Sequence, residues 1–142
     1  MNFKKNFGPD LKKIDLNILN NVKKEDFLKK LNPVYETIKK TKTKLSSNNK
    51  DLIGFVGAPW TLLLYMLNRK SPKEGNFSLF TKDKYVQDIL TKLDQFLKIH
   101  IDAQIENGAS IIQIFDSWAG LLPEKDLEYF VYKPTKSLVD FI

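Results

Sequence analysis

Apolar residues recur every three or four positions across residues 81–109. Val86, Ile89, Leu90, Leu93, Phe96, Leu97, Ile101 and Ile105 would line one face of a single long helix. Asn107 and Gly108 close that helix, because glycine accepts the left-handed backbone that ends helices. His100 lies beside the stripe and reads as a core or boundary residue. Phe27, Leu28, Leu31, Val34, Tyr35, Ile38 and Leu45 keep the same period. Pro33 is expected to interrupt or start a helix there, since proline removes a backbone donor and crowds the turn before it.

Two shorter runs differ. Leu52 to Val56 and Ile111 to Phe115 are almost continuously apolar and show no clear alternation. Such runs fit strands buried on both faces of a parallel sheet. After the first, Thr61 is expected to cap or open a helix carrying Leu62 to Leu67. After the second, residues 123–142 read as a further helix, with Pro123 near its first turn and a bend at Pro134. The N-terminal stretch looks extended, with Gly8-Pro9-Asp10 as a turn. "SSNNKD" (residues 46–51) and "NRKSPKEGNF" (residues 68–77) read as loops. The order strand, helix, long helix, strand, helix is a βα pattern and implies a parallel sheet. Two strands cannot close a barrel, which takes about 250 residues. The alternatives are a small irregular α/β protein and a piece of something larger.

Composition narrows the chemistry. The 142 residues carry a formal net charge of +6, almost all of it from lysine; Arg69 is the one arginine. Arginine is the forked donor that grips phosphate and carboxylate in pairs, so a nucleic-acid partner is not expected. The lysine-rich residues 39–44 read as a solvated helix end. With no cysteine, disulfides and thiolate metal sites are excluded, and the single histidine cannot build a metal site alone. No metal site is expected. No run approaches the roughly 18 apolar residues of a membrane span, and no signal-peptide core is present. A cytoplasmic protein without a membrane partner is the expectation.

Both apolar strands run into polar or aromatic turns: Gly57-Ala58-Pro59-Trp60-Thr61 and Asp116-Ser117-Trp118-Ala119-Gly120. Ligands of parallel α/β folds sit beyond the carboxyl ends of the strands. These two ends therefore read as one wall of a pocket. The alternative is that Trp60 and Trp118 fill the core and Ser117 caps a helix.

"LIGFVGAPWTLLLYM" and "QIENGASIIQIFDSWAG" resemble two signature segments of the uroporphyrinogen decarboxylase family, and the early "NFGP" matches a third in position and character. The resemblance runs from about residue 3 to the end. It implies an α/β fold that is part of a (β/α)8 barrel, with parallel strands alternating with helices. It implies a homodimeric parent enzyme, and removal of CO2 from the four acetate side chains of uroporphyrinogen III to give coproporphyrinogen III, without a cofactor. Tyr65 matches the family's active-site tyrosine, whose phenol would hydrogen-bond substrate near the reacting acetate. Ser117 matches a serine-or-threonine position that would contact a substrate carboxylate. Gly57, Ala58, Pro59 and Trp60 would shape the wall. Asp116 is not the family's catalytic aspartate and takes no chemical role by resemblance; a paired or orienting role is a hypothesis. The family's essential aspartate, its arginine-bearing motif and its histidine have no counterpart here. Residues 1–142 are thus expected to be a fragment of one barrel domain, inactive alone, with apolar faces uncovered and poor solubility. The alternatives are a related corrinoid- or thiol-dependent methyltransferase barrel, and a non-catalytic basic binding protein.

Overall fold

The computed structural model describes residues 2–4, 8–10, 14–45, 50–69 and 83–142. The expected loops therefore lie mostly outside the described residues, as do Asn6 and Phe7 of the "NFGP" match. The chain opens with β1 (Asn2–Lys4) and β2 (Gly8–Asp10), paired antiparallel with Phe3 opposite Pro9. Gly8-Pro9-Asp10 is thus a strand and not the expected turn. A two-stranded ladder tolerates proline, because each strand has an edge that needs no donor.

The short α1 (Leu16–Asn20) starts at Asp15, whose carboxylate accepts the Asn17 N–H at 2.8 Å. α2 (Lys24–Leu45) then runs through Pro33 without a break. The expected interruption is overridden by packing on both sides of the proline. Phe27 stacks on Phe96 at 4.8 Å before it, and the Tyr35 hydroxyl meets His100 Nδ1 at 3.0 Å after it. The Thr37 hydroxyl takes up the Pro33 carbonyl at 2.7 Å. Residues 39–44 form the last turns of this helix, as their lysines suggested.

β3 (Ile53–Gly57) leads directly into α3 (Pro59–Asn68), and Pro59 occupies the first helical turn, where its missing N–H costs nothing. Thr61 neither caps nor opens α3, since its hydroxyl is engaged elsewhere. α4 (Lys84–Glu106) is the long helix that the periodicity predicts. Asp83 caps it through the Val86 N–H at 2.9 Å, and Gly108 follows its end with φ +111°. Val34 and Ile105, both counted on apolar stripes, are exposed.

β4 (Ile111–Phe115) pairs parallel with β3, in register from Ile53↔Ile111 to Gly57↔Phe115. A 3-10 turn (Ala119–Leu121), α5 (Glu124–Leu127), a π turn (Glu128–Tyr132) and α6 (Lys133–Val139) finish the chain. The bend expected at Pro134 takes the form of the π turn, in which the Lys133 N–H bonds Glu128 O, five residues back. The wider turn gives the proline ring room against the carbonyl of Phe130.

Among the described residues, the sheet is covered on one face only. Val56 packs with Leu97, Ile101 and Leu138, and Ile112 and Ile114 lie against them. The other face, with Ile53, Phe55, Ile111 and Phe115, is exposed. The strands were expected to be buried on both faces; the described helices cover just one. A second cluster fills the space behind α3, where Trp60, Leu63 and Leu64 meet Val86, Ile89, Phe130 and Val131. At about 1.5–3 kcal/mol for each large side chain buried, this cluster fixes α3 against α4 and the C-terminal helices.

The free edge of β3 is closed by a side chain. The Phe55 N–H donates to Gln104 Oε1 at 3.1 Å, and Gln104 Nε2 donates to the Phe55 carbonyl at 3.2 Å. Gly54 makes room for this clamp, because a Cβ there would lie 2.6 Å from Gln104 Oε1.

Candidate active site

The site forms where the two parallel strands end. The Ala58 N–H donates to the Phe115 carbonyl at 2.7 Å, extending the ladder one residue past β3. The chain turns into α3 at once. Leu62 folds back over Gly57, where an added Cβ would meet its Cδ2 at 3.0 Å. A small residue at position 57 therefore lets the helix begin this close to the strand.

Strand alternation assigns the polar residues to opposite sides. Ile111, Gln113 and Phe115 are exposed, while Ile112 and Ile114 are half-buried towards the helices. Beyond the end of β4, Asp116 turns towards the helices, against Thr61, and Ser117 in the turn is exposed. Asp116 is half-buried, and its Oδ1 accepts the Thr61 hydroxyl at 2.6 Å. Its Oδ2 is buried without a hydrogen-bond partner among the described residues. Burial pushes the carboxyl above its ordinary 3.8, and the Thr61 hydrogen bond opposes that shift. Ser117 is exposed, and its hydroxyl has no hydrogen-bond partner among the described residues.

Next to Ser117, the Trp118 carbonyl accepts the Trp60 indole N–H at 2.9 Å. Tyr65 lies one helical turn beyond Thr61, on the same face of α3. Its ring meets the Trp118 ring edge-on, with centroids 6.4 Å apart at 69°. The Tyr65 side chain is half-buried, and no described residue hydrogen-bonds its phenol. The Trp118 indole N–H is itself buried without a partner among the described residues.

The expected site residues thus fall into two groups. Tyr65 touches Trp118, the chain neighbour of Ser117, and neither hydroxyl has a hydrogen-bond partner among the described residues. Ala58, Pro59 and Trp60 are buried behind the turn, and Gly57 is half-buried beside them. Trp60 combines the two sequence alternatives, filling the core with its ring and holding the site turn with its N–H. Ser117 caps no helix. The Thr61–Asp116 pair was missed by the sequence reading, although two signals pointed to it: Thr61 stands four residues before Tyr65, and Asp116 has the parity of the covered strand face. His100 lies away from this site, between α2 and α4. Burial lowers its pKa from the ordinary 6.5, and burial raises that of its partner Tyr35 from 10.0.

Chemically, the turn offers two free hydroxyls, each able to donate to a carboxylate, on an aromatic wall. The one carboxylate in the turn is held against Thr61.

A family model described as "Uroporphyrinogen decarboxylase (URO-D)" matches residues 1–142. The uroporphyrinogen decarboxylase of Rickettsia bellii is 37% identical over 152 residues, covering 100% of this chain and 42% of that protein. That of Campylobacter fetus is 39% identical over 91% of this chain and 38% of its own length. That of Agrobacterium fabrum is 33% identical over 98% of this chain and 41% of its own. The chain spans about two-fifths of the length of these relatives. The methyltransferase and basic-binding alternatives gain no support from these matches. Among the described residues, no helix is long and apolar enough to cross a membrane.

Proposed function

The chain belongs to the uroporphyrinogen decarboxylase family, and from that premise we propose that it forms part of a cofactor-independent decarboxylase acting on uroporphyrinogen III. Residues 1–142 supply two adjacent strands and their helices to a single (β/α)8 barrel, and further strands cover the exposed face of β3 and β4. The complete enzyme is a cytoplasmic homodimer that binds neither nucleic acid nor membrane.

In the reaction, the pyrrole α-carbon beside the carbon that bears an acetate arm is protonated, which leaves a cationic, iminium-like ring. The bond between the arm's CH2 and its carboxylate breaks, its electron pair flows into the cationic ring, and CO2 leaves. A proton then adds to the resulting CH2 to give a methyl group, and the proton first added to the ring carbon leaves to restore the pyrrole, four times per substrate. The ring supplies its own electron sink. The protein has to hold the macrocycle and orient each arm. Ser117 donates to a substrate carboxylate, and the Tyr65 phenol hydrogen-bonds near the reacting acetate. The wall from Gly57 to Trp60 backs both.

One observation carries this reading. Among the described residues neither the Ser117 nor the Tyr65 hydroxyl has a hydrogen-bond partner, and both residues flank Trp118 in the turn that Trp60 and Thr61 hold at the carboxyl ends of the two strands. The test is a fluorescence titration of the chain with uroporphyrin, the oxidised and unreactive octacarboxylate. Tyr65→Phe and Ser117→Ala should each weaken binding about tenfold, the scale of one hydrogen bond to a charged group. Equal affinity in the wild type and both variants would refute the assignment. The chain alone should form no coproporphyrinogen from uroporphyrinogen, and measurable product would overturn the view that further strands complete the site.

A further inference from the structure

We propose that Asp116, acting with Thr61, is a positioning residue for the Ser117 hydroxyl. This rests on the reading of Ser117 and Tyr65 as substrate contacts.

The argument is geometric. Ser117 is the middle residue of a three-residue turn. Its two neighbours are each tied to the start of α3, Asp116 by its carboxylate to Thr61 at 2.6 Å and Trp118 by its carbonyl to Trp60 at 2.9 Å. Trp60 and Thr61 are consecutive and both buried, so the two anchors form one rigid base. Helix α3 also carries Tyr65, one turn on. The pair of tethers therefore fixes Ser117 in the frame that holds the phenol. Without the Thr61 tether, the peptide between Asp116 and Ser117 is held on its own side only by the long hydrogen bond from the Ala119 N–H to the Asp116 carbonyl, 3.4 Å, and the hydroxyl loses its bearing.

The chemistry of the pair agrees. Oδ1 can accept from Thr61 whether the carboxyl is ionised or protonated, so the strut survives titration of the group. The other oxygen is buried with no partner among the described residues, and so it does not serve the solvent-facing side of the turn. Asparagine would keep the acceptor; alanine would remove it. Valine in place of Thr61 would remove the donor while keeping the shape of the side chain.

The experiment compares Thr61→Val, Asp116→Ala and Asp116→Asn in the 142-residue chain, with two readouts. The first is the backbone order parameter of the Ser117 amide from NMR relaxation. It should fall from the rigid range near about 0.85 towards the flexible range below about 0.6 in Thr61→Val and Asp116→Ala. Values in α4 should stay unchanged. The second is uroporphyrin affinity, which should fall about tenfold in those two variants and stay within about twofold in Asp116→Asn. Adding Ser117→Ala to Asp116→Ala should then cost nothing further, because the hydroxyl is already misplaced. A full additional loss from Ser117→Ala would mean the pair is merely structural and would overturn the proposal. An unchanged Ser117 order parameter in Thr61→Val would also overturn it. If the wild-type chain binds no uroporphyrin, the substrate-contact reading falls, and the order parameters alone decide whether the strut positions Ser117.

Discussion

Replacing Gln104 by methionine tests whether a side chain stands in for a missing strand. The N–H of Ala58 reaches across to Phe115 in β4. Strand period then turns the N–H and C=O of Phe55 the other way, to the edge that no described strand occupies. The Gln104 amide meets both, at 3.1 and 3.2 Å, and Gln104 is only 2% exposed. Methionine keeps the length of the stem and deletes both hydrogen bonds. Water reaches this edge in part, since the Phe55 side chain is 65% exposed. The net value of about 1 kcal/mol per bond therefore applies, and not the full penalty for a buried orphan. The expected loss is about 2 kcal/mol, a factor of roughly 30 in the folding constant. With a urea m-value of about 2 kcal/mol per molar, the midpoint should drop by about 1 M with m unchanged. The Phe55 amide should exchange faster, while amides facing β4 keep their protection. A midpoint shift below about 0.2 M, or unchanged exchange at Phe55, would refute the clamp. Gly54→Ala should act on the same contact, because its Cβ would lie 2.6 Å from Gln104 Oε1. Its cost should shrink when combined with Gln104→Met.

Two further outcomes follow from the same contacts. The folded pKa of His100 lies below its ordinary 6.5 because burial disfavours the charged ring, so the unfolded chain binds that proton first. The associated stability is complete above about pH 6.5 and is lost as pH falls towards the folded value; His100→Gln should flatten that slope in urea midpoints between about pH 7.5 and 5.5. Asp83 caps α4 through the Val86 N–H, so Asp83→Ala should cost about 1 kcal/mol in the same assay, while Asp83→Ser should recover most of it.

The long helix was legible because its apolar stripe repeats through six turns and Asn107-Gly108 marks its end, whereas the Asp83 cap at its start was not read. The parallel pairing was legible from the order of elements. Pro33 misled because a local rule, the missing donor, was outweighed by contacts with α4 on both sides of it. Gly8-Pro9-Asp10 misled because three turn-forming residues in a row can equally sit in an edge ladder. Tyr65 and Ser117 entered as candidates through resemblance alone. The Thr61–Asp116 strut and the Gln104 clamp were not reached, because each joins residues about fifty positions apart. Hydroxyl and amide side chains look alike in a sequence whether they face solvent or a distant backbone group.

Register is what separates structure from chemistry at this strand end. Asp116 and Ser117 are adjacent and both polar, and only the two-residue period gives one to Thr61 and the other to the open side. Sliding β4 by a single residue would exchange them. The carboxylate would then face the pocket, and the shorter serine would be left against Thr61. Such a slip is opposed at both ends of the sheet. At the start, Gly54 lies between Gln104, Ile112 and Ala109, where an added Cβ would be within 3.1 Å of each. At the end, the Ala58–Phe115 hydrogen bond and the two tethers from Trp60 and Thr61 hold the turn. The glycines, the buried glutamine and the tryptophan N–H therefore share one consequence. They decide which of two neighbouring polar side chains is left exposed and which is kept as a brace.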